Sequence, residues 1–486
     1  MYLADDPLST RSRDGGGRNA TCLVPIAIVL HPALPSAEEL MQAEADRLKR
    51  ARGVSPSSRS PTPPASAESS PVASAPAPEP SSSMPPTFTP ADSVWDWRTA
   101  KAHVMCADSQ YHFLGSFYLR SHAVLEPFAL SLRRHLSPMH PLFKLLRPHL
   151  RYVLSSAVEL RRAIVDHGTI ADTLFGVAAS PKPLLLAMHV RNMRKQAHEA
   201  TLRQEDAAQA SKGKRSGWGR WAPKQEDAKK LEEDLDRIEL PSSGVDSFLR
   251  DEYSRWRFED MAFPATLLER GLDGKEKLQN YPYRDDGILL WSSLVDFVDE
   301  YVKIYYVSDA DVANDRELQA FWNEVVNVGH KKREFPFRKL DHADAVCRVC
   351  ATLLWMCTGQ HSSVRYSMYD EYGAVMFRPP HMRGKPPTER GKCSEITFLD
   401  SLPNISDTVA MAALGAVLSG TSERNPRLMD LNVYEEYIND PRAKQALARF
   451  SNACEKVESV IAIRNQRRHM PYPFMMPSRV GLSPGI

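Results

Sequence analysis

The stretch YPYRDDGILLWSSLVDFVDEYVKIYY, residues 281–306, holds the pattern that decides the fold. From Ile288 to Tyr306 apolar side chains return at the spacing of one helix face, with no period-two alternation to favour a strand. Arg284, Asp285 and Asp286 stand where that helix begins, a place where carboxylates meet the positive end of the helix dipole and a guanidinium can make charge-assisted bonds. The segment Tyr281 to Trp291 is therefore expected to pack and orient helices around a core.

Working outward, the same periodicity recurs over 111–135, 142–166, 343–364, 408–419 and 443–464. Long alternating runs are missing, so the expected fold class is all-α or nearly so. Two stretches interrupt the pattern. Residues 52–90 are rich in Pro, Ser and Ala and carry almost no large apolar side chains; such a segment buries too little surface to offset its conformational entropy and is expected to be disordered. The second runs from 195 to 240, where KGKRSGWGRWAPK precedes an acidic and basic tract. It reads as a solvated insertion, and its basic half with Trp218 and Trp221 is suited to transient contact with an anionic surface such as membrane lipid or RNA. The expected organisation is a start at 1–35, a disordered insertion at 36–90 and a helical domain at 91–486.

Charge and cysteine content narrow the setting. Lys and Arg number 62 against 60 Asp and Glu, a net charge of +2 that supplies no electrostatic case for nucleic acid. Seven cysteines, an odd number spread over 486 residues, do not form a disulfide framework and point to a reducing compartment. The apolar run Cys22 to Leu30 is too short for a membrane span. A cytoplasmic protein with peripheral contact to membranes is expected.

A few residues stand out chemically. His112 and His122 lie on the apolar segment QYHFLGSFYLRSHAVLEPF, 110–128. Glu126 follows His122 by one helical turn, the place for a carboxylate that orients a ligating imidazole. His361 sits near the end of another apolar helix with Arg365 at i+4. The chain stops on Ile486 after a Pro-, Met- and Phe-rich stretch, which makes its terminal carboxylate a candidate oxygen ligand. Cys347-x-x-Cys350 lacks the second pair that tetrahedral zinc needs and reads as core.

Taken together, these residues fall into segments that resemble lipoxygenases of the animal type. The 281–306 stretch resembles the family's Y-x-Y-R-D-D-G-x-x-x-W segment. PPTFTPADSVWDWRTAKAHV (85–104), YLRSHAVLEPFALSLRRHLSPMHPLFKLLRPHLRYV (118–153), CTGQHSSVRYSMYD (357–370), FRPPHMRGKPPTERGK (377–392) and 446–486 are similar to further segments, in the family's order. VPIAIVL (24–30) resembles one of its strands. The resemblance covers the C-terminal part of the catalytic domain, without the N-terminal β-sandwich that docks such enzymes on membranes.

The resemblance implies a lipoxygenase-like helical domain, a non-haem iron and dioxygenation of polyunsaturated fatty acids by O2. In the family, two histidines on one helix, a third on another, an Asn, His or Ser four residues later and a terminal Ile or Val carboxylate hold the metal. The first two stand five positions apart, a separation of about 500° on a regular helix, so a π-type turn must realign them. Carried onto this chain, the ligands are His122, His361 and Ile486. The remaining two positions hold Phe117 and Arg365, neither of which ligates. Met368 stands where the family carries a Gln bridging the metal to the substrate channel. Pocket residues are expected among Phe113, Leu114, Tyr118, Ala123, Leu160, Ile164, Ile170 and Leu414. The reduced ligand set leaves two alternatives open: a metal-free pseudoenzyme that keeps a fatty-acid-binding or structural role, with Arg365 in place of the metal, and a fatty-acid hydroperoxide isomerase.

Overall fold

A computed structural model describes residues 87–166, 168–176, 244–276, 278–331, 333–420 and 425–485. Residues 36–86 of the stretch expected to be disordered, the 195–240 stretch with Trp218 and Trp221, the VPIAIVL stretch and Ile486 lie outside the described residues. What is described is mainly helical, and no strand occurs among the described residues, as the periodicity predicts. The helices used below are α1 (Val94–Gln110), α2 (Glu126–His135), α3 (Val153–Leu160), α4 (Pro282–Tyr305), α5 (Ala343–Trp355), α6 (His361–Tyr372), α7 (Glu395–Ser401), α8 (Ile405–Ser419) and α9 (Pro441–Arg467).

Helix α4, the opening stretch of sequence, packs against α5 on one side and α9 on the other. Leu290, Leu294, Phe297, Val298, Tyr301 and Val302 recur on its buried face, and Phe297 stacks on Phe450 of α9 with centroids 4.7 Å apart. Its start is a polar anchor. Asp286 is fully buried and accepts hydrogen bonds from Arg464 at 2.8 Å and Arg468 at 2.6 Å. Arg284 turns the other way and donates to the carbonyls of Gly274 and Leu278, both at 2.8 Å. Asp286 thus ties two helices together, since a buried carboxylate needs charged partners more than a helix dipole. Gly287 is required there: a Cβ would stand 2.5 Å from Cζ of Phe263.

Two apolar cores result. The larger gathers side chains from α2, α4, α5 and α9. The smaller is built from α3, α6, α8 and the residues after α1. Two π-helical turns matter for the site: Tyr111–Leu119 directly after α1, mostly in the smaller core, and Met356–Gln360 directly before α6, whose Met356 and Cys357 belong to the larger one. Each adds a residue to the helical turn and rotates the side chains that follow.

Candidate metal centre

His122 ends the irregular stretch that follows the first π turn. Its backbone leaves the helix, with φ −130° and ψ −62°, and Ser121 Oγ donates to the Ser116 carbonyl at 2.8 Å across the break. His361 follows the second π turn and begins α6, rather than closing an apolar helix as its sequence context suggests. Gly359 in that turn lies under Trp355: a Cβ would approach Cζ3 of the indole to 2.4 Å. These two irregularities bring the imidazoles together. The ring centroids of His122 and His361 are 4.9 Å apart with the planes at 84°.

Phe117 is the third member of the group. Its ring lies 4.6 Å from that of His122 and 6.3 Å from that of His361, and all three are buried. Among the described residues neither nitrogen of His122 has a hydrogen-bond partner, and neither has Nε2 of His361. Burial, with a smaller contribution from the nearby Arg365 charge, pushes the His122 imidazole down to about 3. Burial first, then His122 and Arg365, holds His361 well below its ordinary value. Both rings are therefore neutral at physiological pH, the form in which imidazole ligates metals.

Arg365 is buried, with a side chain that does not reach the imidazole nitrogens. Nε donates to the Leu418 carbonyl at 2.8 Å, Nη2 to Gly420 at 2.6 Å and Nη1 to Gly485. It therefore ties the C-terminal end of α8 to the chain's last turn. The tail from Val480 to Gly485 is buried and held by other side chains too. Ser362 Oγ accepts from Gly481 N–H at 2.9 Å, His149 donates to the Leu482 carbonyl at 2.9 Å, and Asn425 donates to that of Ser483 at 2.9 Å. Sequence reasoning missed Ser362, His149 and Asn425 because each partner is distant along the chain and none belongs to a local pattern.

The expectation for Glu126 is corrected. Its carboxylate pairs with Arg161, and the nitrogens of His122 have no partner among the described residues. The one-turn spacing assumed a continuous helix, whereas Ala123–Leu125 is a tighter 3₁₀ turn and α2 begins only at Glu126. His112 lies apart from the imidazole pair: Nε2 donates to the Val364 carbonyl at 3.0 Å and the ring stacks on Tyr372 at 4.2 Å. Phe113, Leu114, Tyr118, Leu160, Ile164, Leu414 and Met368 are buried in the smaller core with Phe117, while Ala123 and Ile170 pack on it half-buried. Cys347 and Cys350 are core residues of α5. No group of three or more His, Cys, Asp or Glu able to hold a metal occurs among the described residues.

Residues 68–186 and 247–472 match the lipoxygenase family. The chain belongs to the lipoxygenase family. It corresponds to the C-terminal part of the lipoxygenase catalytic domain. It is 27% identical over 416 residues to lipoxygenase 6, chloroplastic, of Arabidopsis thaliana, covering 80% of this chain and 38% of that protein. It is 28% identical over 422 residues to seed linoleate 9S-lipoxygenase-3 of Glycine max, covering 80% and 42%. The structure of a coral 8R-lipoxygenase superposes with a TM-score of 0.67 at 25% identity, over 82% of this chain and 51% of that one. The chain thus spans about two fifths of the length of these plant relatives and half of the coral structure.

Whether the residues fit the family's iron follows from the imidazoles. Buried polar atoms without partners are costly and rare, and here they stand on two imidazoles from different elements whose ring centroids are 4.9 Å apart. A divalent ion would satisfy one nitrogen of each ring. Phe117 contributes no ligand, and Arg365, with its donors turned to the Leu418, Gly420 and Gly485 carbonyls, contributes charge.

Proposed function

We propose that this chain carries a lipoxygenase-type site for the dioxygenation of polyunsaturated fatty acids, with His122, His361 and the terminal carboxylate of Ile486 as the iron ligands. The observation that carries the reading is the buried pair of neutral imidazoles, His122 and His361, with ring centroids 4.9 Å apart and unpartnered nitrogens among the described residues, beside an apolar core. Two imidazoles and one carboxylate are the ligand composition of other non-haem iron oxygenases. When bound, iron supplies the one-electron oxidation that takes hydrogen from the bis-allylic carbon of a 1,4-diene. The protein's own contribution is to bind and exclude. Phe113, Leu114, Leu160, Ile164 and Leu414 offer an apolar lining for the acyl chain, and their burial keeps water from a carbon radical. The neutral imidazoles need no proton release before they ligate.

A second reading is favoured by two specific side chains. The Phe117 ring packs against both imidazoles, and Arg365 places a buried positive charge near them; together they suit a metal-free descendant that binds fatty acid in the same core.

The deciding measurement is the iron content of the full chain after anaerobic Fe(II) loading and desalting, beside H122A and H361A. Near-stoichiometric iron that each substitution abolishes, followed by O2 uptake with linoleate, is the expected result. Iron-free protein that still binds fatty acid would replace the first reading with the second.

A further inference from the structure

Helix α8 is apolar on both sides. Its inward face places Met411, Leu414 and Leu418 in the smaller core. Outward, Ile405, Val409 and Val417 are 85%, 62% and 69% exposed, with exposed Ala413 and Ala416 between the last two. The helix's one ionisable side chain, Asp407, is buried beside His381. Exposed Ser406 is the polar side chain on this outward face, and exposed apolar patches mark interaction surfaces. Helix α7, three residues upstream, continues the surface with Ile396 and Leu399, 72% and 51% exposed.

The rim has the composition of a membrane interface. Trp95 of α1 lies 5.8 Å from Phe398 of α7, with the Arg98 guanidinium 4.7 Å above its indole. The loop 383–392, RGKPPTERGK, is tied to the end of α7 by Arg383 N–H donating to the Ser401 carbonyl at 2.7 Å. Its exposed Arg383, Lys385, Arg390 and Lys392 face one carboxylate of their own loop, Glu389, while Arg390 pairs with Asp92. Glu395 and Asp400 are the acidic residues of α7. No single described helix is long and apolar enough to cross a bilayer; α7 and α8 together are, but they meet at 56°. A bent, apolar pair bordered by indole and basic side chains suits the headgroup boundary, where amphipathic surfaces bury apolar side chains and draw on anionic lipid.

We propose that the outer face of α7 and α8, rimmed by Trp95 and the basic loop 383–392, docks on an anionic lipid bilayer. None of these residues belongs to the 195–240 stretch, and docking does not depend on bound iron. On the reading of the core as a fatty-acid site, α8 stands between that site and the bilayer that holds its substrates in solution.

Flotation of metal-free full-length protein with phosphatidylcholine vesicles, with and without phosphatidylserine, tests the proposal. Wild type is expected to float with the serine-containing vesicles and to detach as salt is raised. I405D/V409D/V417D is expected to lose binding by about tenfold or more, and R383E/K385E/K392E to lose a similar factor on the anionic vesicles only. Quenching by bromine-labelled lipid, taken as the difference between wild type and W95F, reads the contact without altering the helices. Wild type that stays in the aqueous fraction with both vesicles overturns the proposal. So does a triple aspartate variant that binds as well as wild type, or one that instead turns a lipid-free dimer into a monomer, which would make the face a contact between copies.

Discussion

Replacing Phe117 with His would return a third nitrogen to the imidazole pair. The Phe117 ring lies 4.6 Å from His122 and 6.3 Å from His361 in a buried group. Without metal, a third buried imidazole with unmatched nitrogens costs about 1–3 kcal/mol. With metal the sign reverses. Loss of a mere outer-sphere partner weakens metal sites 10- to 100-fold, so a direct ligand is expected to strengthen binding at least about 100-fold, or roughly 2.7 kcal/mol. Saturating metal then stabilises F117H by that amount beyond wild type. At about 2 °C per kcal/mol for a chain of this size, F117H melts about 2–6 °C below wild type without metal and draws level or passes it with Co(II) or Fe(II). Anaerobic competition titration with a chelator gives the affinity, and thermal scans give the stability. A folded F117H with the metal-free penalty but wild-type affinity would refute the reasoning, because residue 117 would then not be aimed at the space between the two imidazoles.

Arg365→Met leaves the Leu418, Gly420 and Gly485 carbonyls without their donor; after relief of the buried charge, a net loss of about 2–4 kcal/mol is expected in urea unfolding, with R365K recovering little because an ammonium lacks the planar fork. Gly359→Ala forces the Trp355 ring to move and is expected to cost about 1–3 kcal/mol despite alanine's better helix propensity, with loss of whatever iron the wild type retains. The imidazoles of His103, His112, His149 and His330 are each pushed by burial down to about 4. The unfolded chain therefore binds more protons than the native state below about pH 6.5, and stability falls as pH drops from there toward 4, by up to about 1.4 kcal/mol per pH unit for each ring; the urea midpoint at pH 5 should lie clearly below that at pH 7.5, and equal midpoints would show that these rings are not buried neutral.

The helical class was open to sequence reading because burial of one face imposes a period that survives divergence. Leu290, Leu294, Phe297 and Tyr301 display it without any knowledge of what they touch. The partner of Asp286 was not readable, since Arg464 and Arg468 are brought to it by the α4 and α9 packing alone. Glu126 shows a local rule failing where the backbone departs from it: i+4 means one face only if the helix is continuous, and the chain breaks at His122.

The sequence by itself determined the helical class, the family to which the motifs in their order belong, and which residue types stand where the resemblance would place that family's ligands, because these are properties of spacing and side-chain chemistry along one chain. Only the tertiary structure decided that two imidazoles meet with both nitrogens of His122 and Nε2 of His361 unpartnered among the described residues, that Phe117 packs beside them, and that Arg365 spends its donors on three carbonyls. Those facts depend on π turns and on contacts between residues far apart in the chain, and a hydrogen bond is allotted by the geometry of the packed elements, which no local pattern encodes.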